Sequence, residues 1–214
     1  LSLDVCSSDR AHLLDLGGGA ELDHGASLRS PARAAESSVL TGSGSAGPGP
    51  GYARVMTDLA ARIVTSLRHQ HDQLAACVEQ LGHEQLVAPS GASEWTVADV
   101  LSHLGSGAEI SLATFRRAIG EGPETAPDNQ AIWDRWNAAS PRDQAEDFID
   151  HDLRLVEVLE DLSAEARNTL RLDLGFLPAP VTFETAAGMR LNEVIAHEWD
   201  VAVALDPDAS LDTE

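Results

Sequence analysis

The sequence predicts an all-α protein, a four-helix bundle with long connections. Apolar residues recur at helical spacing in four long segments, helix-start signals precede three of them, and no segment alternates convincingly like a strand. With 214 residues and 43% hydrophobic content, the chain can enclose one sizeable core.

Residues 1–55 stand apart. They lack sustained periodicity and run into TGSGSAGPGPG (41–51), a linker composition with too little apolar surface to fold. The opening LSLDVCSSDR resembles translated sequencing-adapter read-through, so 1–55 is expected to be a disordered, non-native extension, with Met56 as the start. Cys6, His12 and His24 fall outside the functional reading on that ground.

The first helix is read from Leu59, Ile63, Leu67, Leu74, Val78 and Leu81, with Gly82 as its stop. After the loop VAPSGAS, EWTVADVLSHL opens the second, with Thr96 as N-cap and Asp99 in the capping-box position. It continues through Ile110 and Phe115 to about Ile119, where GEGP breaks it. The polar connection ETAPDNQ leads to AIWDRWNAA, read as a short helix. Ser140 caps the third long helix with Pro141 at its first position, and Phe148, Leu155, Val158, Leu159 and Leu162 form its apolar stripe. GFLPAP interrupts before Thr182 caps the fourth, which runs to about Leu205 and stops at DPD. The domain is therefore expected to span 56–205, with 206–214 as a tail.

Composition removes several function classes. Acids outnumber bases 35 to 14, for a net charge of -21, and every base is arginine. Without lysine there is no Schiff-base chemistry. So acidic a surface repels nucleic-acid phosphates. No stretch approaches the roughly 18 continuous apolar residues of a membrane span, and a cytoplasmic setting is expected. Cys6 and Cys77 form no CxxC motif or disulfide framework. Cys77 lies in an amphipathic helix and reads as a small hydrophobe, with a reactive thiol as the weaker alternative.

The fourth helix carries the chemistry. Within RLNEVIAHEWDVAVAL, Glu193 and His197 are four residues apart and Asp200 three further on. At 100° per residue these and Arg190 share one narrow sector beside an apolar stripe. Two ligands at i and i+4 can reach one metal ion, but the pair alone is a common pattern that reads first as a local Glu–His hydrogen bond. On the second helix, His103 lies at the edge of an apolar stripe, with Gly107 one turn on leaving space for a ligand. His69, His71, His83 and His151 fall in polar settings and read as solvated. His103 is then the natural third ligand, and two imidazoles with one carboxylate suit a divalent ion, zinc above others, with an open position.

WTVADVLSHL, followed about ninety residues later by RLNEVIAHEWDVA, together with LDLGFLP, resembles the mycothiol-dependent maleylpyruvate isomerase family, a branch of the DinB-like four-helix bundles. The resemblance covers about Met56 to Leu205, the family's metal-binding N-terminal domain. It implies zinc held by His103, Glu193 and His197, and mycothiol as the thiol partner. It implies that the bound thiolate adds to an electrophilic cis double bond, and that rotation and elimination give the trans product. A thiol transferase acting on other electrophiles and a non-catalytic metal-binding module are the alternatives. Family members commonly continue into a smaller C-terminal domain, so a chain ending at DPDASLDTE is expected to be a fragment.

The supporting residues leave open choices. Asp99 is either a cap or a partner to a ligating histidine, and Asp200 is read as such a partner. Arg190 binds a substrate carboxylate or pairs with an acid. Trp95 and Trp199 are expected to pack, and Trp133 and Trp136 fall in the variable connection.

Overall fold

The computed structural model describes residues 50–206 and 209, with side chains from residue 59. Most of the glycine-rich linker and of the N-terminal extension lies outside these residues, as does most of the tail. Seven helices are described: α1 (Pro50–Val78), α2 (His83–Leu86), α3 (Val97–Ala118), α4 (Asn129–Ala138), α5 (Pro141–Asp161), α6 (Ala164–Thr169) and α7 (Phe183–Leu205). Strands β1 (Arg171–Leu172) and β2 (Val181–Thr182) pair antiparallel between α6 and α7. Two residues per strand are too few to show alternation, which is why the sequence concealed them.

The start signals act as expected. Thr96 accepts from the Asp99 amide while Asp99 accepts from the Thr96 amide, a reciprocal capping box. Ser140 caps α5 with Pro141 at its start, and Thr182 caps α7. Helix α1 begins at Pro50, ahead of the Met56 boundary taken from the sequence. Proline is well suited to a first helical turn because its missing N–H has no partner to lose there.

The four long helices pack in the ring order α1, α5, α3, α7. Arg68 meets Glu160 and His71 meets Asp152, so α1 and α5 run antiparallel. His103 meets Glu193 and Phe115 meets Phe183, so α3 and α7 do too. Gly188 against Ile63, and Glu198 near Cys77, make α1 and α7 parallel. Neighbours α3 and α5 are therefore parallel, and the chain must travel back the length of the bundle between them. Helix α4 lies on that return path and buries Trp136, which donates its indole N–H to Glu109. Trp136 is thus a packing residue.

Leu67, Leu74, Leu101, Leu104, Phe148, Leu155, Leu159, Phe183 and Val201 fill the interior. Each stabilises the fold by roughly 1.5–3 kcal/mol relative to exposure. Leu59, expected on the buried stripe, is 41% exposed. No helix among the described residues is long and apolar enough to cross a membrane.

Candidate metal centre

The centre forms between the neighbouring helices α3 and α7. Val100, Leu101 and Leu104 bury one side of α3, leaving His103 at the margin of that buried face. On α7, Val194 and Val201 anchor the helix and bring His197 to 4% exposure, while Glu193 projects from the rim toward solvent. His103 Nε2 lies 3.1 Å from Glu193 Oε2, and His197 Nε2 lies 3.8 Å from the same oxygen. One donor atom from each residue falls within 4.8 Å of the other two. A tetrahedral ion with bonds of about 2.1 Å has ligand atoms roughly 3.4 Å apart, so the set fits one divalent ion.

The surroundings settle which nitrogen faces inward. Asp200 Oδ2 accepts from His197 Nδ1 at 2.8 Å, fixing the tautomer that leaves Nε2 with its lone pair toward Glu193. Burial pushes the His103 imidazole below its ordinary range, keeping it in the neutral form a metal ligand needs. The hydrogen bond from His103 holds the Glu193 carboxyl below the usual range despite partial burial.

Trp95 builds one wall. Its ring stacks on His197 at 5.9 Å and 25°, and tilts against His103 at 5.2 Å. The loop carrying it is tied to α7 through the Gly91 amide, which donates to the Asp200 carbonyl at 2.8 Å. A Cβ at Gly91 would lie 2.6 Å from Val203 Cγ2 and 2.9 Å from Asp200 Cα, so only glycine permits this approach. The packing role expected of Trp95 is therefore played against the two candidate ligand rings.

The sequence reading of several neighbours changes. Asp99 serves the Thr96 cap. Arg190 is buried and donates to Asp152 Oδ1 at 2.7 Å and to the Leu104 carbonyl at 2.9 Å, which answers its open choice in favour of an acid partner. The space at Gly107 is taken by that guanidinium, whose Nη1 lies 3.1 Å from where a Cβ would stand. His71, read as solvated, is 4% exposed and bonded to Asp152 at 2.9 Å. It occupies the turn between Leu67 and Leu74, on the buried stripe. His151 is also half-buried, with its ring edge-on to Trp136 at 5.4 Å.

Comparison with known proteins places these features. The family model for the mycothiol maleylpyruvate isomerase N-terminal domain matches residues 67–202, which include all three candidate ligands. A Mycobacterium tuberculosis protein described as uncharacterized, found in strains CDC 1551 / Oshkosh and ATCC 25618 / H37Rv, is 29% identical over 150 residues. That similarity covers 69% of this chain and 71% of the relative. The crystal structure of the mycothiol-dependent maleylpyruvate isomerase superposes with a TM-score of 0.54 at 15% identity. The superposition covers 66% of this chain and 60% of that one, and at this identity it speaks to fold alone. The helical bundle and the extent of the family match lead to one assignment: this chain belongs to the mycothiol maleylpyruvate isomerase N-terminal domain family.

Proposed function

We propose that the chain is a metal-dependent, mycothiol-using enzyme domain of the maleylpyruvate isomerase kind, acting on an electrophilic double bond. The observation that carries this reading is the meeting of His103, Glu193 and His197, with Asp200 fixing the imidazole that faces the other two. His103 Nε2, Glu193 Oε2 and His197 Nε2 would hold the ion, zinc being the natural choice for two imidazoles and one carboxylate. A divalent ion held there would lower the pKa of a bound thiol, which would make thiolate available near neutral pH.

The protein's own groups supply order around that chemistry. Asp200 keeps the His197 ring from turning and raises its basicity as a ligand. Trp95 covers one side of both imidazoles and shields them from water. The exposed rim at Glu193 leaves the opposite side open to a thiol and its electrophile. Cys77 contributes no nucleophile: burial raises its thiol pKa, and it packs against the core.

The test uses the zinc-loaded full chain with mycothiol and maleylpyruvate. Cis–trans conversion without net thiol consumption supports isomerisation. Conjugate that accumulates with an electrophilic acceptor supports thiol transfer instead. No turnover, together with a cobalt spectrum that thiol leaves unchanged, would reduce the domain to a binding module.

A further inference from the structure

The polar contacts of α7 continue inward beyond the candidate ligands. Arg190, one turn before Glu193, is 7% exposed, and its Nη2 donates both to the Leu104 carbonyl and to Asp152 Oδ1. The other Asp152 oxygen bonds His71 Nδ1 at 2.9 Å. One bonded chain thereby joins α1, α5, α3 and α7. Its contact on α3 is the carbonyl of the residue after His103, and its origin on α7 lies one turn from Glu193. Gly107 faces the same guanidinium: a Cβ there would meet Arg190 Nη1 at 3.1 Å and nothing else within 4 Å.

We propose that His71, Asp152 and Arg190 are positioning residues that set the spacing of α3 and α7 at the level of His103 and Glu193. The proposal rests on the metal-site reading given above. His103 and Glu193 belong to different helices, so their separation depends on how closely those helices approach. Apolar packing is non-directional and tolerates sliding by fractions of an ångström. A charge-assisted hydrogen bond from one helix to a backbone carbonyl of the other does not. A buried ion pair is a poor source of stability relative to an apolar pair of the same shape, and its best-attested use is to specify one arrangement. The glycine at 107 keeps clear the room the guanidinium needs.

Cobalt(II) titration of the full chain, followed by the absorption of the bound ion, tests this. Gly107→Ala moves the guanidinium without deleting a charge or touching another side chain. It is expected to weaken cobalt binding about 10-fold, the scale of other supporting contacts to metal ligands, although alanine favours the helix over glycine. Arg190→Lys, which keeps the charge on a shorter and more compact group, is expected to weaken binding comparably. Leu172→Ala removes a buried side chain from the hairpin and should lower the unfolding temperature while leaving cobalt affinity unchanged. Wild-type affinity in both Gly107→Ala and Arg190→Lys overturns the proposal. So does an equal loss of affinity in Leu172→Ala, because general loosening would then explain it. Absence of cobalt binding by the wild-type chain would overturn the metal reading itself, a separate and recognisable failure.

Discussion

Replacing Asp152 by asparagine should be among the most damaging single changes in the molecule. Its side chain is 2% exposed and lies between His71 and the Arg190 guanidinium, itself 7% exposed. Removing its charge leaves a buried guanidinium uncompensated, a loss of about 3–5 kcal/mol. For a folded unit of this size, each kcal/mol moves the midpoint by about 2–4 °C, so the expected fall is roughly 6–20 °C. Calorimetry of the metal-free chain, with chelator present to remove any contribution from bound ions, measures it. The pH dependence supplies a second signature. Burial alone would raise the Asp152 carboxyl, but the His71 hydrogen bond and the Arg190 charge outweigh it and hold the group below its ordinary value. The folded pKa is thus below the unfolded one of about 3.9, so the stabilisation is complete above that value and fades as pH falls through the folded one. Asp152→Asn should lack this part of the acid limb. Pairing Asp152→Leu with Arg190→Met should recover part of the loss, since the two charges leave together. A midpoint for Asp152→Asn within about 2 °C of wild type, equivalent to about 1 kcal/mol or less, would mean that the Arg190 charge does not depend on Asp152.

Other changes probe the site and its wall. Asp200→Ala frees the His197 ring and should weaken zinc binding 10–100-fold in a competition titration; unchanged affinity would remove Asp200 from the site. Gly91→Ala forces the loop off Asp200 and Val203 and should destabilise by about 1–3 kcal/mol in urea unfolding, as overpacking does. A neutral result there would mean that the loop carrying Trp95 yields freely. The Cys77 thiol, raised by burial and by nearby Glu198, should alkylate more slowly than free cysteine at pH 8, as read by peptide mass mapping. Faster reaction would reopen it as a nucleophile.

The bundle was legible because each long helix announces itself through an apolar stripe, and three do so through a capping residue. That Glu193, His197 and His103 come together was legible too, since i, i+4 spacing and a wheel position are local properties of sequence. The chain through Arg190 was harder to see, although its signal was present. His71 follows Leu67 and precedes Leu74, Asp152 sits between Phe148 and Leu155, and Arg190 lies between Ala187 and Val194. Each is a polar residue at an apolar position, and three such positions on three helices imply partners for one another. Their polar neighbours in sequence made His71 look solvated. Which helix faces which is a tertiary property, and the ring order α1, α5, α3, α7 is what joins them. Trp95 was read as packing for the sound reason that aromatic residues often staple helix starts. That its partners are imidazoles depends on the Gly91 contact with α7, which spacing does not reveal.

In the proposed centre, His103, Glu193 and His197 hold one metal ion. Elemental analysis of the purified full chain beside His103→Ala tests it most directly, after both are loaded with zinc and freed of loose ions. Close to one zinc per wild-type chain and a large deficit in the variant are expected, with helical content retained in both. Equal zinc in the two proteins would contradict it.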